Sequence, residues 1–370
     1  MSSVGCINGI GLGKDESPSF NLAPIDTKVS LEVRKIFEPI PVLSSESGFS
    51  PLQQSLSKKE TQTEISAEFL RYLISDYKQN DLDQILKLMD DPKLIKKLDA
   101  RELAKIGHIL LVKATDEDID RSTSILEEAA SRLEGTQNEP ILLAEILTDL
   151  GNAYIANTRN SEAIHVLSRA LGNCLMVNVD SPVRPNNAMV KALFSLGVAF
   201  GYRDEEGDLD QAIAMLSKAS NTPCPNQTIS SLVFRNLWLY LSKRNGPGDL
   251  DSRILAMQKS TQLVTNPLVK LKDLGRFMSD LLRRGKEGDR ELLIYALRDA
   301  SRLPINEREK LKVWRELLET ELFPEGADKR IKLLLEPGEI RLNGDSQMAL
   351  KLFGIIQEMV QKPQLRLPPR

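Results

Sequence analysis

The chain has little of what a metal centre, a disulfide framework or a membrane span requires. Its 370 residues include 3 cysteines (Cys6, Cys174 and Cys224) and 2 histidines (His108 and His165). The cysteines form no Cys-x-x-Cys pair, and two histidines cannot complete a ligand set, so no metal or other cofactor is expected. Three widely spaced cysteines also argue against a disulfide framework, which fits a reducing compartment. No run of about eighteen apolar residues occurs, so no membrane span is expected. The opening residues, Met1 to Gly13, lack the basic start and long apolar stretch of a secretion signal. The expected compartment is cytoplasmic, with nuclear access left open.

Aromatic residues are only 5% of the chain, too few for the cores of β-sandwiches and suited to helical stacks cored by Leu, Ile and Ala. The net charge of -3 supplies no global field for nucleic acid or anionic lipid, so nucleic-acid binding would need a local basic stripe.

Residues 1–62 are rich in Ser, Pro and Gly, hold no sustained period and read as a disordered tail. One apolar island, Val29 to Phe37, has the pattern of a short helix or a docking peptide, ended by Pro39 and Pro41. Residues 63–362 read as helical repeats, and 363–370 as a second short tail. Across the repeats Leu, Ile and Ala recur at three- and four-residue steps. The breaks carry turn residues: Asn80-Asp81, Asp116 to Asp118, Glu206 to Asp208, Gly246 to Asp249, Gly285 to Asp289 and Pro324 to Gly326. No strand-like alternation appears, so the fold class is all-α.

Self-similarity refines that class. The clearest unit carries Leu147, Leu150-Gly151 and Tyr154, then Ala163, Leu167 and Ala170. This unit resembles the tetratricopeptide (TPR) signature, departing from it at Leu147, where Trp is usual, and at Leu175, where Pro is usual. The resemblance implies an α-solenoid in which Gly151 and Ala163 let the two helices of a hairpin cross closely. A second unit, Leu196-Gly197, Phe200, Ala212, Leu216, Ala219 and Pro223, has an inter-helix connection about three residues longer than the TPR norm. Aligned to it, Gly107 and Leu110 pair with Ser122, Leu126 and Ala129; Leu241 with Arg253 and Met257; and Leu281 with Leu293, Leu297, Ala300 and Pro304. Leu73 pairs with Ile85 and Met89, and Leu318 with Arg330 and Leu334. The sum is about seven hairpins with a period near forty residues, closed by a helix from Ser346 to Val360. Arg253 and Arg330 stand where the pattern wants Ala, which predicts looser packing or a different curvature there.

In TPR proteins the first helix of each hairpin lines a concave groove. That mapping places Arg101, Lys105 and His108 in it, then Asp149 and Asn152, then Lys191 and Phe194, then Arg235 and Asn236, and finally Lys272, Arg276 and Arg283. Glu145, Thr148, Ser195, Val198, Leu239 and Ser279 complete the mapped face. Such a groove holds an extended or helical peptide; a solvated helix face is the plain alternative for each residue. The heat-shock carboxylate clamp of some TPR proteins is not matched, because Thr148 and Ser195 replace its Lys and second Asn.

A second signal is Lys59-Glu-Thr61-Gln62-Thr63. It resembles the peptides that dock on the dynein light chain as an added strand, which would make that hub a partner. The alternative is a helix cap from Thr61 and Glu64, or from Ser66. The run Gly9 to Lys14 is not a phosphate loop, since Asn8 and Asp15 occupy the diagnostic positions. His165 falls on a second helix, and His108 has no Ser or Cys nucleophile beside it, so no catalytic constellation is present. The function expected is a non-enzymatic protein-binding adaptor. A dedicated assembly chaperone, and an RNA-binding repeat using Lys272, Arg276, Arg283 and Arg284, are the alternatives.

Overall fold

A computed structural model describes residues 68–71, 73, 82–113, 115–134, 139–176, 183–286, 288–306, 309–310 and 313. Among these, no strand occurs. The helices are α1 (Leu82–Met89), α2 (Pro92–Lys97), α3 (Ala100–Lys113), α4 (Asp116–Leu133), α5 (Pro140–Ala156), α6 (Asn160–Leu175), α7 (Val183–Arg203), α8 (Asp208–Asn221), α9 (Gln227–Arg244), α10 (Asp249–Leu263), α11 (Pro267–Arg284) and α12 (Asp289–Arg302).

Local chemistry sets where they begin. Thr115 and Asp118 form a reciprocal capping box at α4. Asn226 accepts the Ile229 N–H at 3.1 Å to open α9, and Asn266 accepts from Leu268 and Val269 to open α11. Pro140 and Pro267 occupy first-turn positions, where no backbone donor is lost.

From α3 onward the helices pair as five antiparallel hairpins, each packed on the next, so the fold is an α-solenoid. First helices also touch first helices, α3 on α5, α5 on α7 and α7 on α9, while second helices form no comparable run among the described residues. The first helices are therefore the inner layer. One continuous apolar core runs from Leu70 to Val313. Within it lie Leu73, Ile85 and Met89, the residues assigned to the earliest hairpin; Leu318, Arg330, Leu334, the Ser346–Val360 helix and both tails lie outside the described residues.

The Gly–Leu crossings predicted from the repeat are present. A methyl added to Gly107 would come within 2.6 Å of Leu126 Cγ, and one on Gly197 within 2.9 Å of Leu216 Cγ. One on Gly151 would overlap Leu167. The three extra residues of the longer unit are spread out. Helix α7 runs six residues past Gly197, whereas α5 runs five past Gly151; the turn 204–207 has four residues against three in 157–159; and α8 starts four before Ala212, whereas α6 starts three before Ala163.

The longer turn follows one design in three successive hairpins. An Arg ends the first helix, the next residue takes a left-handed conformation, and a left-handed Gly precedes an Asp that opens the second helix. The instances are Arg203…Gly207-Asp208, Arg244…Gly248-Asp249 and Arg284…Gly288-Asp289, with Gly φ of 84°, 81° and 90°. Each buried Asp accepts two N–H groups from its Arg and one backbone N–H from inside the turn, that of Glu205, Gly246 or Lys286. The Arg hydrogen bonds, and then the backbone N–H, hold the Asp208 and Asp249 carboxyls below the ordinary range. Arg244 also reaches back to Asp210 at 2.9 Å, and Arg284 to Asp251 at 2.8 Å, tying each turn to the one before.

Candidate functional site: the inner face of the first helices

The inner layer brings six of the residues mapped to the groove face to one place. A shallow cleft is lined by Thr148, Asp149 and Asn152 from α5, Lys191, Phe194 and Ser195 from α7, and Ile229 and Leu232 from α9. His108 on α3 borders this group, its Nδ1 lying 3.1 Å from Asp149 Oδ2. The lining residues recur at three- and four-residue steps because only that spacing keeps side chains on one helix face.

The polar groups here are unusually placed. Asn152 is 3% exposed and Ser195 2% exposed. Thr148, by contrast, satisfies its hydroxyl on the Ala144 carbonyl at 2.7 Å. Neither Asn152 nor Ser195 makes a side-chain hydrogen bond to any described residue, and Lys191 has no ion pair among them. Buried polar groups are ordinarily hydrogen-bonded, so this cleft presents unused amide, hydroxyl and ammonium groups beside an apolar floor of Phe194, Ile229 and Leu232.

Opposing effects set the protonation of His108. Burial lowers its pKa and is the largest single effect; Asp149 raises it by charge and by hydrogen bonding, outweighing burial and the smaller opposition of Lys191. The net position is above the ordinary 6.5. Removing the partner carboxylate, as in Asp149→Asn, is expected to lower the pKa of His108, read from its ring proton shifts in an NMR titration. Because the folded pKa is raised, the pair's contribution to stability is complete below about 6.5 and disappears as pH rises through the folded value.

The remaining predicted groove residues lie apart from the cleft. Arg101 is exposed and pairs with Glu139 at 2.7 Å, and Lys105 is exposed on α3. Asn236 donates to the Leu232 carbonyl at 3.0 Å. Lys272 and Arg283 are half-buried on α11. The basic residues toward the C-terminal end, read above as an alternative RNA-binding stretch, are partly engaged within the fold. Fully buried Asp273 accepts from Arg235 at 3.2 Å, from Ser260 at 2.8 Å and from Arg276 at 3.5 Å. Arg276 also lies 5.0 Å over the Trp238 ring. Two of the cations assigned to the groove are thus spent on a carboxylate of the fold itself, and Arg284 is clamped by Asp289 and Asp251.

Arg253 overturns the expectation of looser packing. It is 4% exposed and pairs with Asp280, which is fully buried and accepts Trp238 Nε1 at 2.7 Å. An arginine at an alanine position leaves the stack closed here, because a buried acid and an indole meet it. The composition of α11 carries the clue, since Asp273 and Asp280 stand seven residues apart and so share a face.

The described cysteines and His165 lie outside the residues that line the cleft. Cys174 is buried, its thiol pushed up to about 11 by burial and then by Glu145; Cys224 is half-buried against Asn187. His165 is exposed on α6. No group of His, Cys, Asp and Glu with metal-binding geometry occurs among the described residues, and none of their helices is long and apolar enough to cross a membrane. Lys59, Thr61, Gln62 and Thr63 lie outside the described residues.

No protein-family model and no curated protein matches the chain. Among solved structures, that of BtubC (BKLC) from P. vanneervenii is similar at a TM-score of 0.39 and 14% identity, covering 77% of this chain and 94% of that one. A likeness that loose carries no argument. The class defined by the helices themselves is an α-solenoid whose inner face holds a partly apolar cleft.

Proposed function

We propose that the chain is a non-enzymatic, TPR-like adaptor that holds a segment of a partner protein along the inner face of its first helices. The observation that carries this reading is the cleft between α5, α7 and α9. Asn152 and Ser195 are nine-tenths buried and, among the described residues, have no side-chain hydrogen-bond partner, and Lys191 beside them has no ion pair there, next to an apolar floor. An extended peptide supplies what these groups lack, namely backbone donors and acceptors, an anion and an apolar side chain. A dedicated assembly chaperone would use the same surface for one client. RNA binding along the C-terminal repeats is less favoured, because Arg276 and Arg284 already serve internal carboxylates.

Affinity purification at about 50 and 200 mM salt, with and without nuclease, separates these readings. An adaptor keeps its partner under all four conditions, whereas an RNA-binding protein making six or more phosphate contacts would lose about a thousandfold in affinity over that range. For the tail we propose, as a separate element, light-chain docking through Lys59, Thr61, Gln62 and Thr63. Replacing Thr61, Gln62 and Thr63 by Ala should abolish calorimetric binding of the light chain and leave the melting of the stack unchanged. A melting point lowered by several degrees would assign the segment to a helix cap, worth about 1 kcal/mol.

A further inference from the structure

The cleft specifies the chemistry of its occupant closely. Lys191 is a half-buried cation with no ion pair among the described residues, so an occupant that brings a carboxylate gains a charge-assisted contact at a partly desolvated position. Asn152 and Ser195 supply donors and acceptors for a peptide backbone on either side of it. Phe194, Ile229 and Leu232 are each under 9% exposed and form a floor that accepts apolar side chains. Asp149 is engaged by His108 at the edge of the cleft. The matching ligand is a short segment in which an acidic residue is flanked by apolar ones.

The chain carries such a segment before its first described helix. Val29-Ser-Leu-Glu-Val-Arg-Lys-Ile-Phe37 sets Glu32 between Leu31 and Val33. The connection is long enough. The 30 residues from 38 to 67 span up to about 100 Å when extended, whereas three hairpin steps of about 10 Å separate the first described helix from the cleft. Tethering on this scale corresponds to an effective concentration of about a millimolar, so a weak contact suffices for occupancy.

We propose that the cleft is the docking site of the chain's own segment Val29–Phe37. Glu32 meets Lys191, the flanking backbone meets Asn152 and Ser195, and Leu31 and Val33 meet the apolar floor. The chain thereby occupies its own groove until a partner segment displaces it. The inference rests on the reading of this cleft as a peptide site and adds its regulation.

The test is photo-crosslinking in the full-length chain with a benzophenone amino acid in place of Leu31. Cross-links are expected within one chain and onto the parts of α5, α7 and α9 that line the cleft. Lys191→Glu should reduce their yield at least tenfold, and adding Glu32→Lys to it should restore them. Glu32→Lys alone should give the same loss. Cross-links scattered over the surface, links between chains that grow with concentration, or a yield indifferent to these charges would each overturn the proposal. Its failure is distinguishable from failure of the adaptor reading. If Leu31 links nowhere in the cleft but cleft substitutions still release a partner protein, only self-docking fails. If self-docking holds and those substitutions release nothing, only the adaptor reading does.

Discussion

Replacing Asp280 by alanine should destabilise the repeats around α9, α10 and α11 by about 3–5 kcal/mol, the range for breaking a buried ion pair from one side. The carboxylate is fully buried and is met by Arg253, itself 4% exposed, and by the Trp238 indole. Alanine leaves a guanidinium in the interior without its counter-ion and an indole N–H without an acceptor, and both costs fall on the folded state. The paired replacement Arg253→Met with Asp280→Leu should recover the part of the loss due to the stranded guanidinium, because an apolar pair of similar volume is often as stable as the ion pair it replaces, while the indole N–H stays without its acceptor. Urea unfolding followed by Trp fluorescence checks both, alongside hydrogen exchange over α9–α11, since repeat stacks need not unfold in one step. A loss below about 1 kcal/mol for Asp280→Ala would mean that water reaches this pair.

The second large effect is expected at the turns. Asp249→Ala removes the acceptor for two Arg244 bonds and for the Gly246 N–H at 2.7 Å, at a site 3% exposed. Hydrogen bonds to charged groups are worth about 1.5–3 kcal/mol each, but Arg244 keeps its contact with Asp210. A net loss of about 2–3 kcal/mol in urea unfolding is therefore expected. Asp208→Ala should cost a similar amount, because Arg203 then keeps its ion pair with Glu205 at 3.1 Å. The pH dependence has a definite sign. The folded pKa values of Asp208 and Asp249 are depressed below 3.8, so their contribution is complete above about that value and is lost as pH falls through the lower folded values. Between neutral pH and about 4, these groups should leave the melting temperature unchanged.

The repeats were legible because their signals are local. Gly151 with Leu167, and Gly197 with Leu216, are fixed by the need of two helices to cross closely, and the spacing appears directly in the sequence. The cleft was legible in part. Helical periodicity put Asp149, Asn152, Lys191 and Phe194 on one face of their helices, and adjacent first helices then brought them together. Ile229 and Leu232 were missed, since an apolar residue on a helix reads equally well as core. The internal partners of the C-terminal charges were missed for a different reason. A single helix shows Arg276 as an outward cation, but its neutralising partner Asp273 also serves Arg235 and Ser260, 38 and 13 residues away in sequence. The Arg-x-x-x-Gly-Asp turn is written three times in the sequence. It passed unnoticed because its glycines and aspartates already explained a turn without the arginine.

Quantitative affinity purification with variants of the inner and outer layers tests the central claim most directly. The Asn152→Ala, Lys191→Glu pair alters the cleft, while Leu255→Ala with Tyr295→Ala alters exposed residues of the second helices α10 and α12. With both variants melting like the wild type, the cleft pair should retain less than about a tenth of the partner protein, a loss worth about 1.4 kcal/mol or more. The outer pair should retain it in full. A cleft variant that holds its partner as tightly as the wild type, or an outer variant that releases it, would contradict the account.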